Sequence, residues 1–343
     1  MLVNVAGDEV ISAGRYIFVP EEWQRGERER ASRMRIAKLS VGLAAALFAI
    51  AALIAAIMAW SRERFDRRAF ALASVLVAAA SLVTGVNLWP AFAMRLSTTE
   101  PYLWQVLLWA GGLGLSLLIQ ILLVGLLAGV AAWVARAHAP DGVAARTLWL
   151  RGAQAGLFAV GVKVLAGVMA MRDAPHWPGV GEDNAWVPWL AALASPMVVV
   201  LAATAITAFV IYWLNRLSDG WQRRRVLTCV LLVVVAAAQA ALLADDWLEI
   251  VVTGVVVGAL NTLLFATVLR FDLRAVPGFV GAEVAATIIA EAMLARTASA
   301  AWHAVLQLAV TLMLTWAITR YLVRAGAPSV AAAPTGPLPV AAD

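Results

Sequence analysis

The chain has 343 residues, 63% of them hydrophobic and 14% charged, with a mean hydropathy of +0.85. Such values lie far outside the globular range and exclude a soluble domain with alternating polar faces. The net charge of +5 rests on arginines gathered in loops, so it reports membrane topology and not a nucleic-acid partner.

Residues 1–20 do not have the apolar core of a signal peptide or a membrane span. Leu2–Val5, a turn at Ala6-Gly7-Asp8-Glu9, and Val10-Ile11 read as strand, turn, strand, and Arg15–Val19 is a further strand candidate stopped by Pro20. Two or three strands have no core of their own. We expect the last edge of an extracytoplasmic β-rich module whose main body lies upstream.

A helix is expected from Pro20, since proline suits the first turn and Glu21 and Glu22 favour the positive helix end. Residues 21–38 form a charged juxtamembrane helix, with Glu27 and Arg30 spaced to pair, that runs into the first span. Nine apolar segments have the length that a ~30 Å hydrocarbon core demands. They are Leu39–Trp60, Phe70–Trp89, Trp104–Ala135, Trp149–Met171, Val187–Leu214, Val226–Ala244, Trp247–Leu269, Ala275–Leu294 and Ala300–Val323. Most of the 15 tryptophans fall at their ends, where amphipathic rings sit at headgroup level. The run Trp104–Ala135 is long for one crossing and short for two, so a hairpin around Gly111, Gly112 and Gly114 is the alternative to a single span.

The basic loop Asn215–Arg225 fixes the orientation, because arginine near a span end resists translocation. With this loop inside, alternation puts Ser61–Ala69, Arg136–Arg151, Arg270–Arg274 and Arg324 inside as well. Pro90–Leu103, the acidic loop Arg172–Trp186, Asp245-Asp246 and the loop near Arg296 then lie outside. The N-terminus is the exception: it falls outside although Arg25, Arg28, Arg30, Arg33, Arg35 and Lys38 crowd the first span. A longer natural chain with an upstream span accounts for that. Residues 325–343, rich in Ala and Pro, are expected to be a disordered cytoplasmic tail.

Ionisable groups deep in a span are expensive and mark functional candidates. Lys163 and Glu283 each lie roughly 12 Å from an end of their spans, and an ion pair between them is expected. Glu283, Thr287 and Glu291 share one helix face at fourfold spacing, which should meet protein or a wet cavity. Asp245, Asp246, Glu249, Glu291 and His303 have the residue types to converge near the outer surface, with His176 above them, yet nothing in their spacing enforces a metal site. Cys229, the sole cysteine, reads as a packed apolar residue. Gly125–Gly129, Gly152–Gly156 and Gly254–Gly258 mark close helix packing. Pro277 and Gly278 should loosen the eighth span, and Pro196 should kink the fifth. Gln120, Gln239 and Asn261 read as interhelical glue.

The order VPEEWQR, FDRRAF, DGWQRRR and RFDLRAVP resembles the membrane region of large bacterial proteins of the CPBP (CAAX-protease and bacteriocin-processing) family. That family's signature is a Glu pair followed four residues later by Arg, then Phe-x-x-x-His, then His-x-x-x-Asn/Asp. Here Arg25 follows Glu21-Glu22 one residue early, and Val134, Arg172 and Ser299 stand four before His138, His176 and His303. His303 is followed by Gln307 where Asn or Asp belongs. The resemblance therefore implies a non-catalytic segment or a degenerate relative.

The expected protein is all-α, a polytopic helical bundle of a bacterial inner membrane, with its N-terminus outside and its C-terminus cytoplasmic. Its partners are the lipid bilayer and an upstream extracytoplasmic domain or partner membrane protein, and no cofactor is implied. The leading function is a non-enzymatic scaffold or anchor. A transporter or ion pathway through Lys163 and Glu283 is the second, and a CPBP-like intramembrane protease the third.

Overall fold

A computed structural model of the chain describes residues 2–14, 19–137, 142–170, 185–243, 247–295 and 298–324. Leu2–Ala6 (β1) and Glu9–Gly14 (β2) pair antiparallel across Gly7-Asp8. Gly7 sits at φ +65°, a conformation that glycine adopts without a Cβ penalty. Of the strand candidate Arg15–Val19, only Val19 is described, and it is irregular. The tail from residue 325 lies outside the described residues.

Glu21–Ser61 (α1) is one helix of 41 residues that begins directly after Pro20. At ~1.5 Å per residue it is about 60 Å long, twice the hydrocarbon thickness, so its charged first half stands clear of the apolar part. Along that half Arg25 pairs with Glu21 at 2.8 Å and Arg30 with Glu27 at 3.2 Å. Only Met34, Ala52 and Ala56 of α1 are buried, which makes it a peripheral rod.

The other long helices are Arg67–Asn87 (α2), Tyr102–Ala137 (α4), Ala145–Ala170 (α5), Pro188–Leu217 (α6), Arg225–Leu243 (α7), Trp247–Leu264 (α8), Val276–Ala295 (α9) and Ala298–Arg324 (α10). A short helix, Trp89–Ala93 (α3), follows α2. A π-helical turn at Phe265–Leu269 extends α8, and the single turn Leu273–Ala275 leads into α9. Among the described residues nine helices have the length and apolarity of a membrane crossing, the architecture of a multi-pass membrane protein. The glycines at 111, 112 and 114 sit in open space along an unbroken α4, so Trp104–Ala135 is one span and not a hairpin. α6 likewise runs through Pro196 without interruption.

Contacts between chain segments define two ends. At one, the Tyr321 hydroxyl donates to Asp66 at 3.0 Å, the Asp66 amide donates to the Gly129 carbonyl at 3.0 Å, and Arg270 donates to the Gly220 carbonyl at 2.9 Å. That end therefore gathers the arginine-rich segments at 61–69, 136, 215–225, 270–274 and 324. At the other, Asn87 and Val187 exchange two hydrogen bonds of 2.8 Å.

α6 occupies the middle. One core cluster joins it to α5, α8 and α9 through Phe265, Val276 and Phe279, and another joins it to α1, α2 and α4 through Val77, Leu127 and Phe209. α10 packs on α9 and α6. Each GxxxG pair lies on a seam. Gly125 and Gly129 face Ser74, Phe70 and Phe65, Gly152 and Gly156 face backbone at Ala275, in the turn before α9, and at Phe279 of α9, and Gly254 and Gly258 face Ala237 and Val233 of α7. Pro277 and Gly278 do not loosen α9. Both are buried, and a Cβ on Gly278 would stand 2.3 Å from the Trp149 carbonyl oxygen. The missing side chain is what lets α5 close on α9 there, and Pro277 falls in the first turn, where no backbone donor is lost.

Candidate functional site

Three polar constellations stand out among the described residues of the bundle. The first is the expected pair: Lys163 Nζ on α5 meets Glu283 Oε1 on α9. The lysine side chain is 42% exposed and the glutamate 26%, so the pair sits at the edge of the seam and not in its core. Thr287 donates to the Glu283 carbonyl at 3.2 Å, which occupies its hydroxyl within its own helix.

The rest of the Glu283–Thr287–Glu291 stripe departs from expectation. Thr287 and Glu291 are exposed, because α9 spends its buried face on Val276, Phe279, Val280 and Ala282 against its neighbours. His303 is half-buried on α10. Asp245, Asp246, His138 and His176 lie outside the described residues, and among the described residues no three His, Cys, Asp or Glu side chains gather as metal ligands.

The second constellation centres on Asp66. Its carboxylate caps α2 by accepting from the Arg68 and Ala69 amides at 2.9 and 3.1 Å. It also pairs with Arg136 at the end of α4 and accepts from Tyr321 of α10. The Arg136 guanidinium lies 5.3 Å from the Tyr321 ring centroid. One nearly buried carboxylate, 9% exposed, thus ties three helices together.

Asp272 repeats the arrangement in simpler form. It accepts from the Arg274 amide at 2.9 Å and takes the Arg274 guanidinium bidentately at 2.9 and 2.7 Å. The signal for both is in the sequence: Arg-Phe-Asp-x-Arg-Ala occurs at 64–69 and again at 270–275. The shared spacing places Asp where a helix start needs an N-cap. Reading those loops only for their arginines passes over the carboxylates.

The third constellation is a face of α10. Thr311, Thr315 and Thr319 have no exposed surface, and Trp149 Nε1 donates to Thr315 at 3.2 Å. Gln120 links α4 to α2 by accepting from Ser81 at 2.5 Å.

Two cavities adjoin at the arginine-rich end. An apolar one of about 290 Å³ lies between α2, α4, α6 and α10. A polar one of about 640 Å³ is bounded by the ends of α4 and α6 and the loops at 64 and 270. Ala135 and Leu273 line both. Neither reaches Lys163 or Glu283.

Comparison with protein-family models, with curated proteins and with solved structures finds no match for this chain. The CPBP-like layout accordingly stands on the quoted residues alone.

Proposed function

We propose that this chain is a non-catalytic scaffold or anchor of a bacterial inner membrane, holding its N-terminal hairpin on the outside and its arginine-rich end in the cytoplasm. The observation that carries the reading is the use made of Lys163 and Glu283. They clasp α5 to α9 along the seam that Gly152 and Gly156 open, and neither of the two cavities at the arginine-rich end reaches them. A transport site at mid-membrane needs access from at least one side. The arginines at one end supply the orientation.

In proteoliposomes the protein should conduct no protons or cations above protein-free vesicles. Removing one charge, as in E283Q, should lower stability by about 1–2 kcal/mol, and the apolar double substitution K163M/E283M should recover most of that loss. The second reading, an ion pathway, is favoured by the placement of the pair within two spans. A protein-dependent flux that E283Q abolishes would replace the scaffold by that pathway.

Orientation is tested separately. In a C229S background, S12C and T98C should react with an impermeant maleimide added to intact spheroplasts, and a fluorescent protein fused after Asp343 should fold and fluoresce. Labelling of S12C only after lysis would reverse the assignment of the hairpin.

A further inference from the structure

The polar cavity at the arginine-rich end is electropositive by composition. Among the described residues, Arg64, Arg216 and Arg270 line it against a single carboxylate, Asp219. None of the three arginines has an ion-pair partner among the described residues. Two of them are held by uncharged contacts instead. Arg270 gives Nη1 to the Gly220 carbonyl and lies 4.4 Å from the Phe271 ring centroid, and Arg216 lies 5.8 Å from that of Trp213. Arg64 and Arg270 are the first residues of the two Arg-Phe-Asp-x-Arg-Ala copies, so both copies deliver a guanidinium to one chamber.

The neighbouring cavity is opposite in character. Alanines of α2, α4 and α6 line it, including Ala73, Ala128 and Ala205. Thr204 Oγ1, which also lies on its wall, is buried and has no protein partner. Both volumes fall in or near the ~300–1,000 Å³ range of small-molecule sites. With Ala135 and Leu273 common to both walls, a chain attached to a group in the polar chamber reaches the apolar one.

We propose that the two chambers together hold one anionic phospholipid, its phosphate among Arg64, Arg216 and Arg270 and an acyl chain in the alanine-lined cavity. Guanidinium forks match phosphate oxygens bidentately. A leaflet rich in acidic lipids supplies the ligand at the end where the arginines lie. A free phosphate ion makes no use of the apolar chamber, and a lipid of zero net charge leaves the guanidinium excess uncompensated.

The full chain, purified and stripped of lipid in detergent, is titrated with phosphatidylglycerol, phosphatidylcholine or inorganic phosphate, with bound lipid read by native mass spectrometry and stability by Tm. Phosphatidylglycerol should remain bound at one per chain and raise Tm, and the other two should do neither. The R64Q/R216Q/R270Q variant should weaken phosphatidylglycerol binding about tenfold or more. A205F, which fills the apolar chamber, should weaken it with every arginine in place. D219N should bind more tightly, and because Asp219 is exposed this variant serves if the triple substitution does not fold. Equal binding of phosphatidylcholine, or a D219N affinity equal to that of the wild type, overturns the proposal. An equal Tm rise from inorganic phosphate also overturns it and leaves a soluble anion as the occupant.

Discussion

Gly152→Ala should destabilise the bundle by about 1–3 kcal/mol or more, while Gly161→Ala, nine residues along the same helix, should be neutral or slightly stabilising. A Cβ on Gly152 would stand 2.0 Å from the Ala275 carbonyl oxygen and 2.9 Å from the Phe279 amide nitrogen. Both obstacles are backbone, in the buried run Arg274–Val280, so neither can rotate aside as a side chain would. The seam must open, and with it goes dispersion contact along the first half of α9. In a membrane no aqueous hydrophobic effect restores that contact, since lipid tails are as apolar as the helices. Gly161 meets nothing within 4 Å, so alanine there brings only its better helix propensity, worth up to ~1 kcal/mol. Thermal unfolding of the two variants in the same detergent measures the difference. Equal Tm values would mean that α5 and α9 do not approach as closely as the glycines indicate.

What could be read from the sequence, and what could not, divides by the range of the interaction. Span number and limits follow from a one-dimensional constraint, the run of apolar residues needed to cross hydrocarbon. The spanning helices after α1 keep those limits to within a few residues, while α1 ends at Ser61 but begins at Glu21 with the charged segment that precedes its span. The GxxxG pairs carry their consequence in their own composition, since a pair of glycines four apart can only offer a flat face. Lys163 and Glu283 were legible for a related reason: two rare charges at similar depth have few partners to choose from.

The errors involve the rotation of a helix about its axis. Glu283, Thr287 and Glu291 do share a face, but their spacing does not say which way the face turns, and the bulky Val276–Phe279–Val280 side of α9 wins the interior. Propensity alone misjudges Pro277 and Gly278. Their meaning depends on α5, which approaches across the gap that Gly278 leaves. The two cavities could not be anticipated at all, since their walls come from helices distant in sequence, and the residues that join them, Ala135 and Leu273, are ordinary apolar positions.

Asp66→Ala should cost about 3–5 kcal/mol, the penalty for leaving one partner of a largely buried ion pair uncompensated. Three interactions are lost together. The α2 N-cap is worth ~1 kcal/mol, the Tyr321 hydrogen bond somewhat more because its acceptor is charged, and the Arg136 guanidinium, only 18% exposed, keeps its charge without a counterion. The separate variants resolve these contributions. Tyr321→Phe removes one hydrogen bond and should cost about 1–2 kcal/mol. Asp66→Asn keeps a capping oxygen but loses the charge, so its cost should fall between those of Tyr321→Phe and Asp66→Ala. Arg136→Met in the Asp66→Asn background removes the orphaned cation and should recover part of the loss, the coupling expected of residues that share a contact. Because Ala69, Ala135 and Tyr321 also line the apolar cavity, the junction sets the spacing of the three helix ends around it. Asp66→Asn should therefore loosen phosphatidylglycerol binding although Asp66 lines neither chamber. A tightening would instead mean that the carboxylate acts on the arginine chamber mainly through its negative charge.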